Sequence, residues 1–453
     1  MVKGLVKDYT NGPIVKQLVA FFVPLFLANV LQIIYNIADM IIVGQVVGST
    51  GLSAVSIGGD VSHLITFLIM GFASAAQIII SQFIGAGQKK RIGPFIGTFI
   101  SFTFICVVVL TVLCIVLQNP IITWMQTPDA ARADALSYFV TCSIGLVFIF
   151  GYNAISAIMR GLGDSKRPFI FIAVAAVLNV ALDLLFVLVI GMGTFGAALA
   201  TVISQGVSFI LGIGYMWIKR NNLGFEMHVR FIRFNRGYLG PLVKLGLPMA
   251  LKQAAISISK LFVNSYLNSF GLAVSAVVGI VGKIGNISIL VSDAFNTAGS
   301  SMIGQNMGAQ KYDRVLKIMA SILILVIPIY GLMTAAMFLF PEPIYSIFST
   351  DPEVIKIAMQ YLPIWLLVFI SFAFRAPMNA FINGSGNYAL NFAVAILEAI
   401  VFRIGLCLLF GVVMGHGYMG FWYGDALAGF VPILIGIIYL PTGKWKAKRH
   451  LID

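Results

Sequence analysis

Ser81-Gln-Phe-Ile-Gly-Ala-Gly-Gln-Lys-Lys-Arg91 and Gly304-Gln-Asn-Met-Gly-Ala-Gln-Lys-Tyr-Asp-Arg314 are two versions of one phrase. At an offset of about 223 residues, Gln82 falls on Gln305, Gly85 on Gly308, Ala86 on Ala309 and Arg91 on Arg314. The same offset pairs Tyr138 with Tyr361, Gly161 with Gly384 and Gly163 with Gly386. One residue of drift then pairs Pro24 with Pro248, Gly191 with Gly415, Gly193 with Gly417 and Gly196 with Gly420. A repeat this long, in a chain this apolar, implies two related helical bundles with a path for a solute between them.

The chain is 60% hydrophobic and only 10% charged, and its mean hydropathy is +0.99. Soluble domains carry about 25% charged residues, so this composition cannot cover a water-facing surface. The expected fold is therefore all-α and integral to a membrane. Twelve apolar stretches are long enough to span a bilayer, which needs roughly 20 residues. They lie near 17–43, 53–80, 93–117, 135–159, 168–190, 195–218, 241–268, 274–302, 315–339, 356–381, 389–412 and 418–440. Six spans form an N-lobe (1–218), a basic linker follows (219–240), and six more form a C-lobe (241–453). Six is even, so the lobes are related by a pseudo-two-fold axis along the membrane normal. The first seventeen residues hold Lys3, Lys7 and Lys16 but no compact apolar core before a cleavage site, so the first span is expected to stay as a helix.

The net charge of +13 sorts by loop. Lys89, Lys90 and Arg91 share one loop, and Arg160, Lys166 and Arg167 the next even one. Lys219, Arg220, Arg230, Arg233 and Arg236 lie in the linker, with Glu226 and His228. Lys311, Arg314 and Lys317 follow, then Lys444, Lys446, Lys448 and Arg449. The alternate loops hold little beyond Arg132 and Lys356. By the positive-inside rule both termini lie in the cytoplasm. No base-reading pattern accompanies these clusters, which argues against a nucleic-acid partner. Cys106, Cys114, Cys142 and Cys407 all sit within apolar stretches without metal-ligand spacing and read as packed thiols. No phosphate-cradling Gly-x-x-x-x-Gly-Lys-Ser/Thr loop is present, and no nucleophile–base arrangement, so neither ATP use nor enzymatic chemistry is indicated.

Ionisable groups within spans are costly, at least ~2.5 kcal/mol each on insertion scales, and mark function by default. Gln32, Tyr35, Asn36 and Asp39 recur at i, i+3, i+4 and i+7, on one helical face. Asn179 precedes Asp183 by four residues, and Thr201 and Asn153 are placed to join them. Two carboxylates among neutral oxygens can take up a proton or hold Na⁺; a polar network that only packs the lobe is the plainer alternative. The second half lacks both acids: Val263, and Leu406 or Cys407, stand near the matching positions. It carries Lys260, Lys283, Asp293, Arg375, Glu398 and Arg403 instead. Glu398 and Arg403, five apart, do not share a strict α-helical face. Asp293 and Glu398 are candidates to attract a cationic substrate, with internal salt bridges as the alternative. The 36 Phe, 15 Tyr and 18 Met would suit flat, greasy cations where they line a cleft.

At these residues the chain resembles the multidrug and toxic compound extrusion (MATE) family, over essentially its whole length. The resemblance rests on the two six-span halves, on Gln82-Phe-Ile-Gly-Ala-Gly87 and its repeat Gln305-Asn-Met-Gly-Ala309, on Arg160-Gly-Leu-Gly-Asp164, on Asp39 followed by Gly44, and on Asn179 with Asp183. It implies a secondary multidrug antiporter of the bacterial plasma membrane, a monomer without cofactor. Such a protein expels drugs and organic cations by rocking between outward- and inward-open forms in exchange for H⁺ or Na⁺. It also implies that Asp39, Asn179 and Asp183 resemble the N-lobe cation site of the bacterial DinF-like branch. Acidic residues that another branch carries in the seventh and tenth spans are absent; Lys252, Lys260 and Arg375 occur there, which argues against a C-lobe Na⁺ site. A lipid-linked precursor flippase of the same superfamily is the main alternative, and a passive channel a more distant one.

Overall fold

The duplicated phrase is a helix stop. In the computed structural model, which describes residues 6–447, the Ala86 N–H donates to the Gln82 carbonyl and the Gly87 N–H to that of Ile84, while the Ala309 N–H donates to the Gln305 carbonyl and the Gln310 N–H to that of Met307. The Gln88 N–H reaches the Phe83 carbonyl at 2.9 Å, and the Lys311 N–H reaches that of Asn306 at 2.9 Å. These bonds occupy carbonyls that a helix end leaves without partners. The residue between adopts a left-handed conformation in both copies: Gly87 (φ 72°) and Gln310 (φ 57°). The second copy thus holds an ordinary L-residue where the first uses glycine.

Around this stop the halves match helix for helix. Helix α1 (Ile14–Val46), α2 (Ser49–Gly85) and α3 (Lys89–Val116) have 33, 37 and 28 residues. Helices α7 (Arg236–Asn268), α8 (Leu272–Gly308) and α9 (Tyr312–Leu339) have the same three lengths. Helix α4 is a bent pair, Asp129–Ile144 and Leu146–Gly161, with 47° between its parts. Then come α5 (Lys166–Val189) and α6 (Gly193–Ile218) in the first half. Their counterparts are α10 (Leu362–Gly384), α11 (Tyr388–Val413) and α12 (Gly417–Thr442). Nine of these are long and apolar enough to cross a membrane among the described residues, and bent α4 adds a tenth. Helices α2 and α7 complete the twelve. Lys3, Lys448 and Arg449 lie outside the described residues.

The chain divides into two compact units. Unit 1 contains residues 23–243 and unit 2 residues 244–453, but the segment Tyr9–Phe22 belongs with unit 2. The division thus departs from the expected 1–218 and 241–453 at two points. Linker residues 219–240 fall within unit 1, and the first turns of α1 fall within unit 2. The cause of the second is direct bonding. Tyr9 donates its backbone N–H to Gln305 at 2.8 Å, Asn306 donates to the Tyr9 carbonyl at 3.1 Å, and Arg314 donates to the Tyr9, Asn11 and Gly12 carbonyls.

Small residues set the packing inside each unit, as lipid-embedded helices require. A Cβ on Gly161 would lie 2.9 Å from the Gln77 carbonyl oxygen, and one on Gly384 would lie 2.8 Å from that of Ser300. The same backbone approach therefore closes α2 on α4 and α8 on α10. The outer surfaces expose large apolar side chains such as Ile210, Ile218 and Leu332, as lipid contact demands. The four cysteines are free thiols, three of them buried.

A left-handed L-residue costs about 1–2 kcal/mol, and the Gln310 side chain is exposed. Gln310→Gly is expected to raise thermal stability and Gly87→Gln to lower it, each by about 1 kcal/mol. Parallel thermal unfolding of the two variants in detergent checks this; equal and unchanged midpoints would refute the capping role.

Candidate functional site

In unit 1, the second half of α1 carries the polar stripe of Gln32, Tyr35, Asn36 and Asp39. Asp39 on that stripe is buried (5% exposed), Gln32 and Tyr35 are half-buried, and Asn36 is exposed. Helix α5 contributes Asn179 (1% exposed) and Asp183 (0%), four residues apart and so on one face. Directly after Asp183, α5 changes from α to π winding over Leu184–Val189. The matching stretch of α11, Leu409–Val413, is also π-helical, so the wide turn belongs to the repeated scaffold. Insertions of this kind concentrate at functional sites.

Asp39 and Asp183 lie within electrostatic reach of each other. Asn179 donates its amide to the Thr201 hydroxyl at 3.4 Å. Tyr35, within reach of Asp39, accepts from Gln205 at 3.2 Å. Tyr138 and Cys142 sit beside Asp39, packed in an apolar cluster with Val43, Val187 and Ala198. Several buried oxygens here have no hydrogen-bond partner among the described residues: Asp39 Oδ1, Asn179 Oδ1, both Asp183 oxygens and Gln205 Oε1. Buried acceptors are ordinarily bonded, and a dry unpaired carboxylate is among the costliest groups a fold can hold. Together these groups form an acceptor-rich cage in unit 1, in which the Asn179 and Gln205 amides donate to Thr201 and Tyr35 while those carboxylate oxygens are left without partners.

Of the expected members, Asn153 turns its amide to its own helix, donating to the Ile149 carbonyl at 2.8 Å. Gln205 was missed by the sequence reading. The available signal was its position four residues beyond Thr201, on the same face of α6.

Unit 2 handles charge differently. Lys252 donates to Asn379 Oδ1 at 2.8 Å. Glu398, fully buried, accepts from Arg375 at 2.8 Å and Arg403 at 3.3 Å. Arg403 also faces Asp425, with Nε 3.1 Å from Oδ1 but off the N–H axis. Glu398 and Arg403, expected not to share a face, do so because α11 is π-helical over Leu397–Ile404. A π turn brings i and i+5 together where an α turn does not. Asp293 is exposed at the surface of unit 2, within electrostatic reach of Arg375, Lys260 and Lys252. Among the described residues no group of three or more His, Cys, Asp or Glu is arranged to hold a metal ion.

Comparison with known proteins finds relatives along nearly the whole chain. The MatE family model matches twice, over residues 24–185 and 248–409. The probable multidrug resistance protein YpnP of Bacillus subtilis is 30% identical over 450 residues, 98% of each chain. A second probable multidrug resistance protein of that organism, YoeA, is 29% identical over 95% of this chain and 94% of its own. A crystal structure of MATE in complex with MaD3S superposes with a TM-score of 0.90 at 22% identity, covering 99% of this chain and 100% of that one.

The two units predict opposite stability responses. Removing one partner of a buried ion pair strands the other charge, so Glu398→Gln should cost about 3–5 kcal/mol. Asp39→Asn and Asp183→Asn remove unpaired charge and should leave stability within about 1 kcal/mol or raise it. Thermal unfolding of the three variants decides; a large loss in the aspartate variants would show that those carboxylates hold the fold.

Proposed function

We propose, since the chain belongs to the MatE family of multidrug and toxic compound extrusion transporters, that it is a secondary multidrug antiporter of the bacterial plasma membrane. Amphipathic, often cationic drugs leave in exchange for H⁺ or Na⁺, by rocker-switch alternating access of the two lobes. Both termini face the cytoplasm, as the basic loops require. The observation that supports this most is the cage in unit 1: two carboxylates with unpartnered buried oxygens in one helical bundle.

In this reading Asp39 and Asp183 hold the coupling ion, Asn179 and Thr201 supply neutral oxygens, and Asn153 lines the approach to them. A proton neutralises the pair directly; Na⁺ does so through the same oxygens, whose hard character suits it. Either ion relieves the cost of the unpaired acids, so the lobe differs in energy between loaded and empty states. That difference is what coupling requires. Gln32, Tyr35 and Asn36 extend the polar face toward the drug path. Asp293 offers an exposed carboxylate for a cationic substrate. Glu398, held by two arginines, acts by fixing Arg375 and Arg403.

Ethidium or fluoroquinolone transport in proteoliposomes, under an imposed pH gradient or an imposed Na⁺ gradient, tests the assignment. Transport should follow one gradient, and Asp39→Asn should lower its rate at least tenfold, matching a coupling energy of about 1–3 kcal/mol. Wild-type transport by folded Asp39→Asn would remove Asp39 from the coupling site. Loss of all drug transport, with movement of a lipid-linked substrate instead, would favour a flippase.

A further inference from the structure

The linker between α6 and α7 contains Val229-Arg-Phe-Ile-Arg-Phe-Asn-Arg236. Val229, Ile232 and Phe234 are 66%, 52% and 48% exposed, and Arg230, Arg233 and Arg236 between and after them are exposed as well. Three large bare apolar side chains in six residues are unfavourable in water. In the headgroup layer of a membrane the same pattern is favourable: apolar groups enter the acyl boundary and guanidinium groups meet phosphate.

The linker is fixed to unit 1. Two glycines of α3 let its backbone come close: a Cβ on Gly93 would fall 2.1 Å from the Glu226 carbonyl oxygen, and one on Gly97 would fall 1.9 Å from that of Phe231. Thr98 adds a hydrogen bond to the Arg233 carbonyl at 3.2 Å. Beneath the linker lies a cavity of about 310 Å³ between α3, α4 and α6, with walls that include Ile100, Val107, Ile155, Phe209 and Ile213. That volume is at the lower end of the ~300–1,000 Å³ typical of ligand sites. Lining residues Phe104, Ile213 and Trp217 are 58%, 44% and 48% exposed, so the cavity opens where lipid chains lie.

The rim of this cavity is cationic. The Arg220 guanidinium lies 4.5 Å from the Trp217 ring centre, and that of Arg230 lies 5.3 Å from the Phe231 ring centre; both rings line the cavity. Among the described residues no carboxylate lies within ion-pair distance of Arg220 or Arg233. Glu226 reaches Arg230 at 3.7 Å and His228 at 3.6 Å, but all three are exposed and such pairs contribute little.

We propose that this cavity and its rim bind one anionic phospholipid of the cytoplasmic leaflet. An acyl chain packs along α3, α4 and α6, and Arg220, Arg230 and Arg233 hold the phosphate. A zwitterionic lipid would fill the same cavity but would set a second cation against the guanidinium groups. The site depends on the membrane orientation given above and is separate from the Asp39–Asp183 cage.

Native mass spectrometry of the purified full-length protein tests it, with phosphatidylglycerol or phosphatidylcholine of matched chains added. The wild type should retain one phosphatidylglycerol in preference to phosphatidylcholine, and added salt should weaken that preference. The triple variant R220Q/R230Q/R233Q should bind phosphatidylglycerol roughly a hundredfold more weakly, since each basic residue near an anionic lipid surface contributes about fivefold in affinity and three such factors multiply. Ile213→Trp keeps every charge but fills the cavity, and should lower retention of both lipids. Equal retention of the two lipids by the wild type, or unchanged binding by the triple variant, would overturn the proposal. Should the triple variant fail to fold, Ile213→Trp and the salt response decide: unaltered retention in both overturns it too. Lipid retention is read without transport, so failure of the antiport reading would leave this result intact.

Discussion

Hydrocarbon offers no hydrogen bonds, and that single constraint organises this molecule. Every backbone N–H and C=O within the bilayer must be satisfied inside the chain, which leaves the helix as the repeating solution. Helix ends then become the places where sequence is most restricted, because carbonyls lose their partners there. The duplicated Gln-x-x-Gly-Ala phrase is conspicuous because it ends two of the longest helices with the same set of bonds. The pressure extends to side chains. Most buried polar groups here find a local carbonyl or a neighbour, as Ser81 does with the Gln77 and Gly161 carbonyls at 2.9 and 3.1 Å. Asp183 departs from that pattern with both of its carboxylate oxygens, and Asp39 with one.

The two units share a backbone and differ in electrostatics. Unit 1 concentrates negative charge without a countercharge at the cage; unit 2 places Glu398 between two arginines. A group already paired has little to gain from a passing ion, whereas an unpaired one gains much. Duplication supplied one scaffold, with a π-helical stretch ending the fifth helix of each half. A further π segment over Leu397–Ile404 appears only in α11 and aligns the residues of the ion-pair chain.

Much of this was readable from spacing. The offset between Gln82 and Gln305 announced the two halves, and the interval from Asn179 to Asp183 placed both on one face. The neighbourhood of Asn179 and Thr201 followed from their helices being consecutive. Other features had no sequence signal of the kind used. Asn153 has a carbonyl of its own helix one turn back, and spacing cannot rank that acceptor against the interior of the lobe. The Glu398–Arg403 pair was hidden because an α-helical period was applied to a π-helical segment. The union of Tyr9–Phe22 with unit 2 rests on contacts nearly 300 residues apart, such as Tyr9 to Gln305 at a separation of 296, and no local pattern encodes these.

That last feature bears on how the chain is made. Synthesis runs from the N-terminus, so Tyr9 leaves the ribosome long before Gln305, Asn306 and Arg314 exist. During that interval the segment can make local bonds, such as Gln17 to the Asn11 carbonyl at 2.7 Å, but not those to Gln305, Asn306 and Arg314 that join it to unit 2. The cost of joining ends so far apart grows slowly with length, but it is met late, once α8 and the start of α9 have been inserted. Tyr9–Phe22 are therefore among the last residues to take their places, and the finished second half fastens the first turns of α1.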